Sequence, residues 1–189
     1  MPLLLAFGSN LGFQALTPRE LISFAVTELC AAGLVLQAQS GLWRTPDFPA
    51  GNGPDFVNAA ARFTSGNAWA AGEILQLLHE VEARMGRIRS RRWGARTLDI
   101  DLIAMGDSVQ PDLATQKFWM DLPPERQRVE IPDRPILPHP RLQDRAFVLV
   151  PLAEVAPDWR HPVLGRSVTE MLAALPAADL AAITPLDGA

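Results

Sequence analysis

The chain has 189 residues, 48% of them hydrophobic and 20% charged, which suits one domain with a full core, since domains commonly run to about 100–200 residues. Its formal net charge of −4 argues against general nucleic-acid binding, which normally shows a basic domain. Lys117 is the only lysine, so any cluster of positive charge is an arginine cluster against an acidic background. The single cysteine, Cys30, excludes an internal disulfide, fits a reducing compartment and is expected as a small buried hydrophobe. The apolar start is too short for a membrane span and lacks a basic leader, so a soluble, cytoplasmic protein with no membrane partner is expected.

Leu3 to Phe7 reads as a buried strand ending in a turn at Gly8-Ser9-Asn10. The GSNLG stretch lacks the lysine and spacing of a phosphate loop and reads as that turn alone. Thr17, Pro18 and Glu20 form a helix start with a capping box, Leu21, Phe24, Ala25 and Leu29 recur at helical spacing, and Gly33 ends the helix. Leu34 to Thr45 is expected as one strand, followed by a loop rich in Pro and Gly. Phe56 to Thr64 alternates, with Phe56, Asn58, Ala60 and Arg62 on one face and Val57, Ala59, Ala61 and Phe63 on the other. Asn67 is expected to cap a helix from Ala68 to Met85, with Gly86 as its stop.

Leu98 to Ala104 reads as the next strand, and residues 107–134 as an insertion with one helical turn near Ala114 to Met120. Ala146 to Val150 is expected as an apolar strand, followed by short helices at Pro151 to Val155 and Val168 to Leu175. The tail beyond Pro176 is expected to fray. The order of strands and helices gives one α+β domain over residues 1–189, a ferredoxin-like sandwich with helices on one face of an antiparallel-rich sheet. The other face is then free to carry a site.

The chemistry concentrates between Glu82 and Asp101. Arg84, Arg87, Arg89, Arg91, Arg92 and Arg96 crowd one end, Trp93 sits among them, and Asp99 and Asp101 close the stretch. On a strand, residues two apart share a face, so both carboxylates point one way and Leu98, Ile100 and Leu102 the other. Paired oxygen ligands suit Mg2+, which commonly brings phosphates, and an arginine loop supplies the opposite charge. Glu82 lies at a helix C-terminus, where an acid opposes the dipole, and the neighbouring arginines would explain it. His139 is fixed between prolines, which is useful for a ligand contact, although a lone histidine is more often structural.

Further stretches carry a resemblance. FGSNLG at 7–12, LWRTP at 42–46, PDFVNAA at 54–60, GRIR at 86–89, RWGARTLDIDLI at 92–103 and LPHPRLQDRAFVLVPLAEVAPD at 137–158 occur in one order. Together they resemble the 6-hydroxymethyl-7,8-dihydropterin pyrophosphokinases of folate biosynthesis. The resemblance implies transfer of pyrophosphate from ATP to the pterin hydroxymethyl oxygen, with release of AMP and two Mg2+ ions held by Asp99 and Asp101. It implies phosphate stabilisation by Arg87 and Arg96, and nucleotide-side positions at Glu82, Arg89, Trp93, Leu102, His139 and Arg145. Thr45, Phe56, Asn58 and Phe147 fall on its pterin side, the two rings sandwiching the pterin. Asp101 is the nearest candidate proton acceptor. Phe56 stands where a tyrosine is common, and Ala95 where a proline is. Two rivals make other forecasts: an RNA-binding sheet needs exposed aromatics that this pattern lacks, and a γ-phosphate kinase would release ADP. Protein partners are left open.

Overall fold

The computed structural model describes residues 1–47, 53–66, 68–87 and 96–186. The expected Asn67 cap lies outside them, as do Arg89 and Trp93.

The first strand, β1, spans Pro2–Ser9 and lies at the heart of the sheet. Helix α1 (Pro18–Ala31) begins as forecast: Thr17 Oγ1 accepts the Glu20 N–H, and the Glu20 carboxylate accepts the Thr17 N–H at 2.8 Å. Leu21, Ala25 and Leu29 face the core, whereas Cys30 is exposed and does not serve as a buried hydrophobe. The reason is its phase, one residue past Leu29 on the helix.

The single strand expected from Leu34 to Thr45 is two, β2 (Leu34–Gln39) and β3 (Trp43–Thr45). Both lie antiparallel along the same edge of β4 (Phe56–Ser65). At the break, the Ser40 hydroxyl accepts the Ala60 N–H at 2.9 Å and donates to the Gly41 carbonyl at 2.7 Å. Helix α2 (Ala71–Arg84) follows, its start held by the Glu73 carboxylate on the Ala70 N–H at 2.7 Å. Just past α2, Gly86 has φ +72°, and a Cβ there would lie 2.1 Å from the Phe13 ring, so no larger residue fits.

Strand β5 (Asp99–Met105) pairs antiparallel with β1 and carries a register shift opposite Leu4 and Leu5. Helices α3 (Leu113–Met120) and α4 (Pro124–Val129) occupy the insertion, α3 capped by Asp112. The segment expected as a strand at Ala146 to Val150 is the first half of helix α5 (Ala146–Val155). A short apolar run has the same composition in a buried strand and a buried helix, and periodicity cannot separate them. The forecast put a boundary at Pro151, but this proline lies within the helix.

Helix α6 (Val168–Ala173) is capped by Ser167. The tail beyond it is not frayed through residue 186: α7 (Ala177–Ala181) leads into β6 (Thr184–Pro185), which pairs with β3. The Leu186 N–H also donates to the Leu42 carbonyl at 2.8 Å.

The sheet runs β5-β1-β4-β3-β6, with β2 also on β4, and every pairing is antiparallel. Alternation divides the side chains between two cores. Leu3, Leu5, Phe7, Ala59, Ala61 and Phe63 meet α1 and α2, while Leu4, Ala6 and Ala60 meet α5 and α6. The fold is thus α+β with helices on an antiparallel sheet, as expected. Both faces are covered, however, and the second is not left free along its length.

Candidate active site

The backbone register lines up the site. Asp99 on β5 sits beside Gly8 on β1, Gly8 beside Asn58 on β4, and Asn58 beside Trp43 on β3. Asp101 lies two residues from Asp99 on the same face, opposite Ala6. Gly8 therefore forms a low floor between the carboxylates and the amide. A Cβ at Gly8 would lie 3.2 Å from Asn58 Oδ1 and 3.9 Å from the Phe56 ring. Reading Gly8 as a turn residue misses this close approach; β1 continues through Gly8 to Ser9, and a glycine within a strand marks such a place.

The next two residues latch the site together. Asn10 Oδ1 accepts the Arg96 N–H at 2.7 Å, and its Nδ2 donates to the Pro54 carbonyl at 3.1 Å. Its backbone N–H donates to the Arg96 carbonyl at 3.0 Å, and Ser9 Oγ donates to the Thr97 carbonyl at 2.5 Å. Ser9 and Asn10 are both buried. The GSN stretch is thus a polar bracket that fixes the entry to β5 against the approach to β4.

Charge is organised around the two aspartates. Glu82, 1% exposed in the last turn of α2, accepts the Ile100 N–H at 2.8 Å and pairs with Arg87. Arg87 also pairs with Asp99, as does Arg96. Asp101 pairs with Arg145 at 3.4 Å. Burial would raise the Asp101 pKa, but His139 in its protonated form, Arg145, Arg96 and Arg87 together outweigh it and hold the group below its ordinary value. Burial, and then the proximity of Arg87, lowers the Arg96 pKa.

His139 is anchored by its N–H to the Ile103 carbonyl of β5 at 2.8 Å. Its Nδ1 accepts the Arg141 N–H at 3.1 Å, so in the neutral ring Nε2 carries the proton. Burial, followed by Arg145, pushes its pKa down to about 4. The imidazole is therefore neutral at pH 7, a hydrogen-bond donor and not a cation.

On the other side of Gly8, Asn58 Nδ2 donates to Thr45 Oγ1 at 2.8 Å, both groups buried. That bond orients the amide and gives the Thr45 side chain a positioning role of its own. Phe56 is partly buried, and Phe147, at the start of α5, is 40% exposed with the Arg145 guanidinium 5.6 Å from its ring centroid. The Leu102 side chain is buried with α1 and α2, on the face away from Asp101 as strand alternation requires, which leaves its backbone to any contact with a nucleotide.

The donor set fits a hard divalent cation. Two carboxylates project from one strand face, and the cationic guanidiniums of Arg87 and Arg96 already lie against Asp99. Among the described residues no cluster of three or more His, Cys, Asp or Glu could hold a metal. Mg2+ does not need one, because it usually takes one or two carboxylates with water and substrate phosphates.

Comparison with known proteins gives this geometry its family. Residues 4–157 match the model of the 7,8-dihydro-6-hydroxymethylpterin-pyrophosphokinase (HPPK) family. The chain belongs to that family. Its members are ATP-dependent diphosphotransferases of folate biosynthesis that pass pyrophosphate from ATP to hydroxymethyldihydropterin.

The 2-amino-4-hydroxy-6-hydroxymethyldihydropteridine pyrophosphokinase of Pseudomonas aeruginosa is 37% identical over 174 residues, 90% of each chain. Its Methylorubrum extorquens counterpart is 34% identical over 172 residues, 90% of this chain and 91% of that one. The Synechocystis protein of the same name is 36% identical over 149 residues, which are 78% of this chain and 65% of that protein. Among solved structures, wild-type HPPK-DHPS of Plasmodium falciparum with pteroate superposes with a TM-score of 0.61 at 15% identity. The match covers 91% of this chain and 42% of that one, and it supports the shared fold. Among the described residues no helix is long and apolar enough to cross a membrane.

Proposed function

We propose that this chain carries out the family reaction at the β5–β1–β4 end of the sheet, with a division of labour across Gly8. Asp99 and Asp101 hold Mg2+, two ions being expected. Arg87, Arg96 and Arg145, together with the neutral His139, receive the triphosphate. Arg89 and Trp93 belong to the nucleotide side by the same resemblance. Thr45, Asn58, Phe56 and Phe147 form the pterin side. The observation that carries this reading is the aligned row Asp99, Gly8, Asn58, in which a metal-type carboxylate and a heterocycle-type amide are separated by a residue with no side chain.

In this reading the pterin hydroxymethyl oxygen attacks the β-phosphorus of ATP. One O–P bond forms while the bond from the β-phosphorus to the bridging oxygen breaks, and AMP leaves with that oxygen. Bound Mg2+ would neutralise the oxygens of the transferred group. The protein positions the reactants and stabilises charge, which dominates phosphoryl transfer. Arg87 and Arg96 exchange their hold on Asp99 for phosphate oxygens as substrate arrives. The lowered pKa of Asp101 suits a cation better than a proton. The hydroxyl proton is therefore lost late, once the attacking oxygen is acidic enough for such a carboxylate to accept it.

The test is product analysis with ATP, Mg2+ and 6-hydroxymethyl-7,8-dihydropterin. AMP formed in step with a pterin diphosphate, and only when all three are present, is the expected result. ADP would overturn the pyrophosphoryl assignment, and no turnover would overturn the activity.

A further inference from the structure

The proposed pterin-side residues come from two separate elements: Phe147 from α5, and Thr45, Phe56 and Asn58 from β3 and β4. One carboxylate, Glu154, ties those elements together. Its Oε2 accepts the Gly41 N–H at 2.8 Å, and its Oε1 accepts the Trp43 indole N–H at 2.7 Å. Phe147 and Glu154 are seven residues apart on α5, close to two helical turns, so they share one side of the helix. Both are exposed there. Trp43 is the register partner of Asn58, and Thr45 is that of Phe56. The indole gripped by Glu154 thus belongs to the strand whose Thr45 orients the Asn58 amide.

β3 needs such a grip. It is three residues long, follows the break at Ser40–Leu42, and has only the two-residue β6 on its outer side. A strand so short has little intrinsic hold on its register.

We propose that Glu154 is a positioning residue for the pterin substrate, setting the spacing between Phe147 on α5 and the Thr45–Asn58 pair without touching the substrate. This rests on the assignment of Asn58 and Phe147 to the pterin side. Nucleotide-side groups on β5, α2 and the His139 loop lie outside this clamp, and Arg145, although it caps α5, is separately held by Asp101 on β5. Loss of the clamp is therefore felt mainly by one substrate.

The experiment is steady-state kinetics on the full chain for Glu154→Ala, Glu154→Gln and Asn58→Ala, varying each substrate in turn. Glu154→Ala should raise the pterin KM about tenfold while the ATP KM stays within about twofold. Glu154→Gln keeps one accepting oxygen and loses the second, so it should fall between wild type and Glu154→Ala. An unchanged pterin KM, or equal rises for both substrates, would overturn the clamp. If Asn58→Ala raises the pterin KM and Glu154→Ala does not, the pterin-side assignment stands and the clamp fails. If Asn58→Ala leaves it unchanged, the assignment itself fails, and the clamp with it. Should Glu154→Ala not fold, Trp43→Phe removes one of the two bonds and should raise the pterin KM about threefold; no change would overturn the proposal.

Discussion

Gly8 and Glu82 show how single residues decide this site. Gly8 works by omission: a methyl group there would press to 3.2 Å from Asn58 Oδ1, tighter than ordinary contact, in the gap proposed above as the meeting place of the two substrates. Gly8→Ala should therefore raise the pterin KM about tenfold or more, with thermal stability little changed, as steady-state kinetics and calorimetry would record. Glu82 works by charge. Its buried carboxylate neutralises Arg87 and accepts the Ile100 N–H, so it holds the end of α2 to the start of β5. Glu82→Gln keeps an accepting oxygen for Ile100 but leaves Arg87 without this anionic partner. Breaking a buried pair on one side typically costs about 3–5 kcal/mol, and urea unfolding should show a loss near the lower end because Arg87 also reaches Asp99. The composition of Glu82 to Asp101 announced these charges, but the burial of Glu82 came only with the fold.

Two elements illustrate where local pattern and tertiary context part. The α1 boundaries follow directly from Thr17, Pro18, Glu20 and Gly33, because capping is a local hydrogen-bonding matter. The run from Ala146 to Val155 has no such punctuation; it becomes a helix because its apolar side chains complete the second core beneath β1 and β4. β3 depends still more on distant partners, lying between β4 and a strand from the far end of the chain. Deleting residues 183–189 removes β6 and the Leu186–Leu42 hydrogen bond. Amide hydrogen exchange in β3 should then accelerate about tenfold, with β1 and β5 unaffected. Unaltered exchange in β3 would mean that β6 contributes nothing to holding it.

At the scale of the whole molecule, a buried histidine outside the site makes stability depend on pH. His161 is buried beside Trp159, and its Nδ1 accepts the Val163 N–H at 3.2 Å. Burial pushes its pKa down to about 4 from an ordinary value of 6.5. Between those values the unfolded chain binds a proton that the folded chain refuses. Stability therefore rises with pH across that window; the contribution of His161 is complete above pH 6.5 and is lost as pH falls to about 4. Urea midpoints measured from pH 7 to pH 4 should fall steadily. The decline should be shallower in His161→Gln, which has one fewer proton to take up on unfolding. An identical slope in that variant would assign the pH response to other groups.

By itself the sequence determined the reaction class, through its resemblance to a known family, and its local patterns gave the paired aspartates, the arginine supply and the boundaries of α1, β4 and β5. These depend on residue type at short spacing, and strand alternation or a helix cap acts within a few residues. Only the tertiary structure decided that helices cover both faces of the sheet and that the strand expected from Leu34 to Thr45 breaks at Ser40. It alone put Gly8 between Asp99 and Asn58, and Glu154 against Trp43. Those relations join residues 50 to more than 100 positions apart. Sheet register and helix docking fix such distances, and no local pattern in a chain encodes the partner across which a side chain will lie.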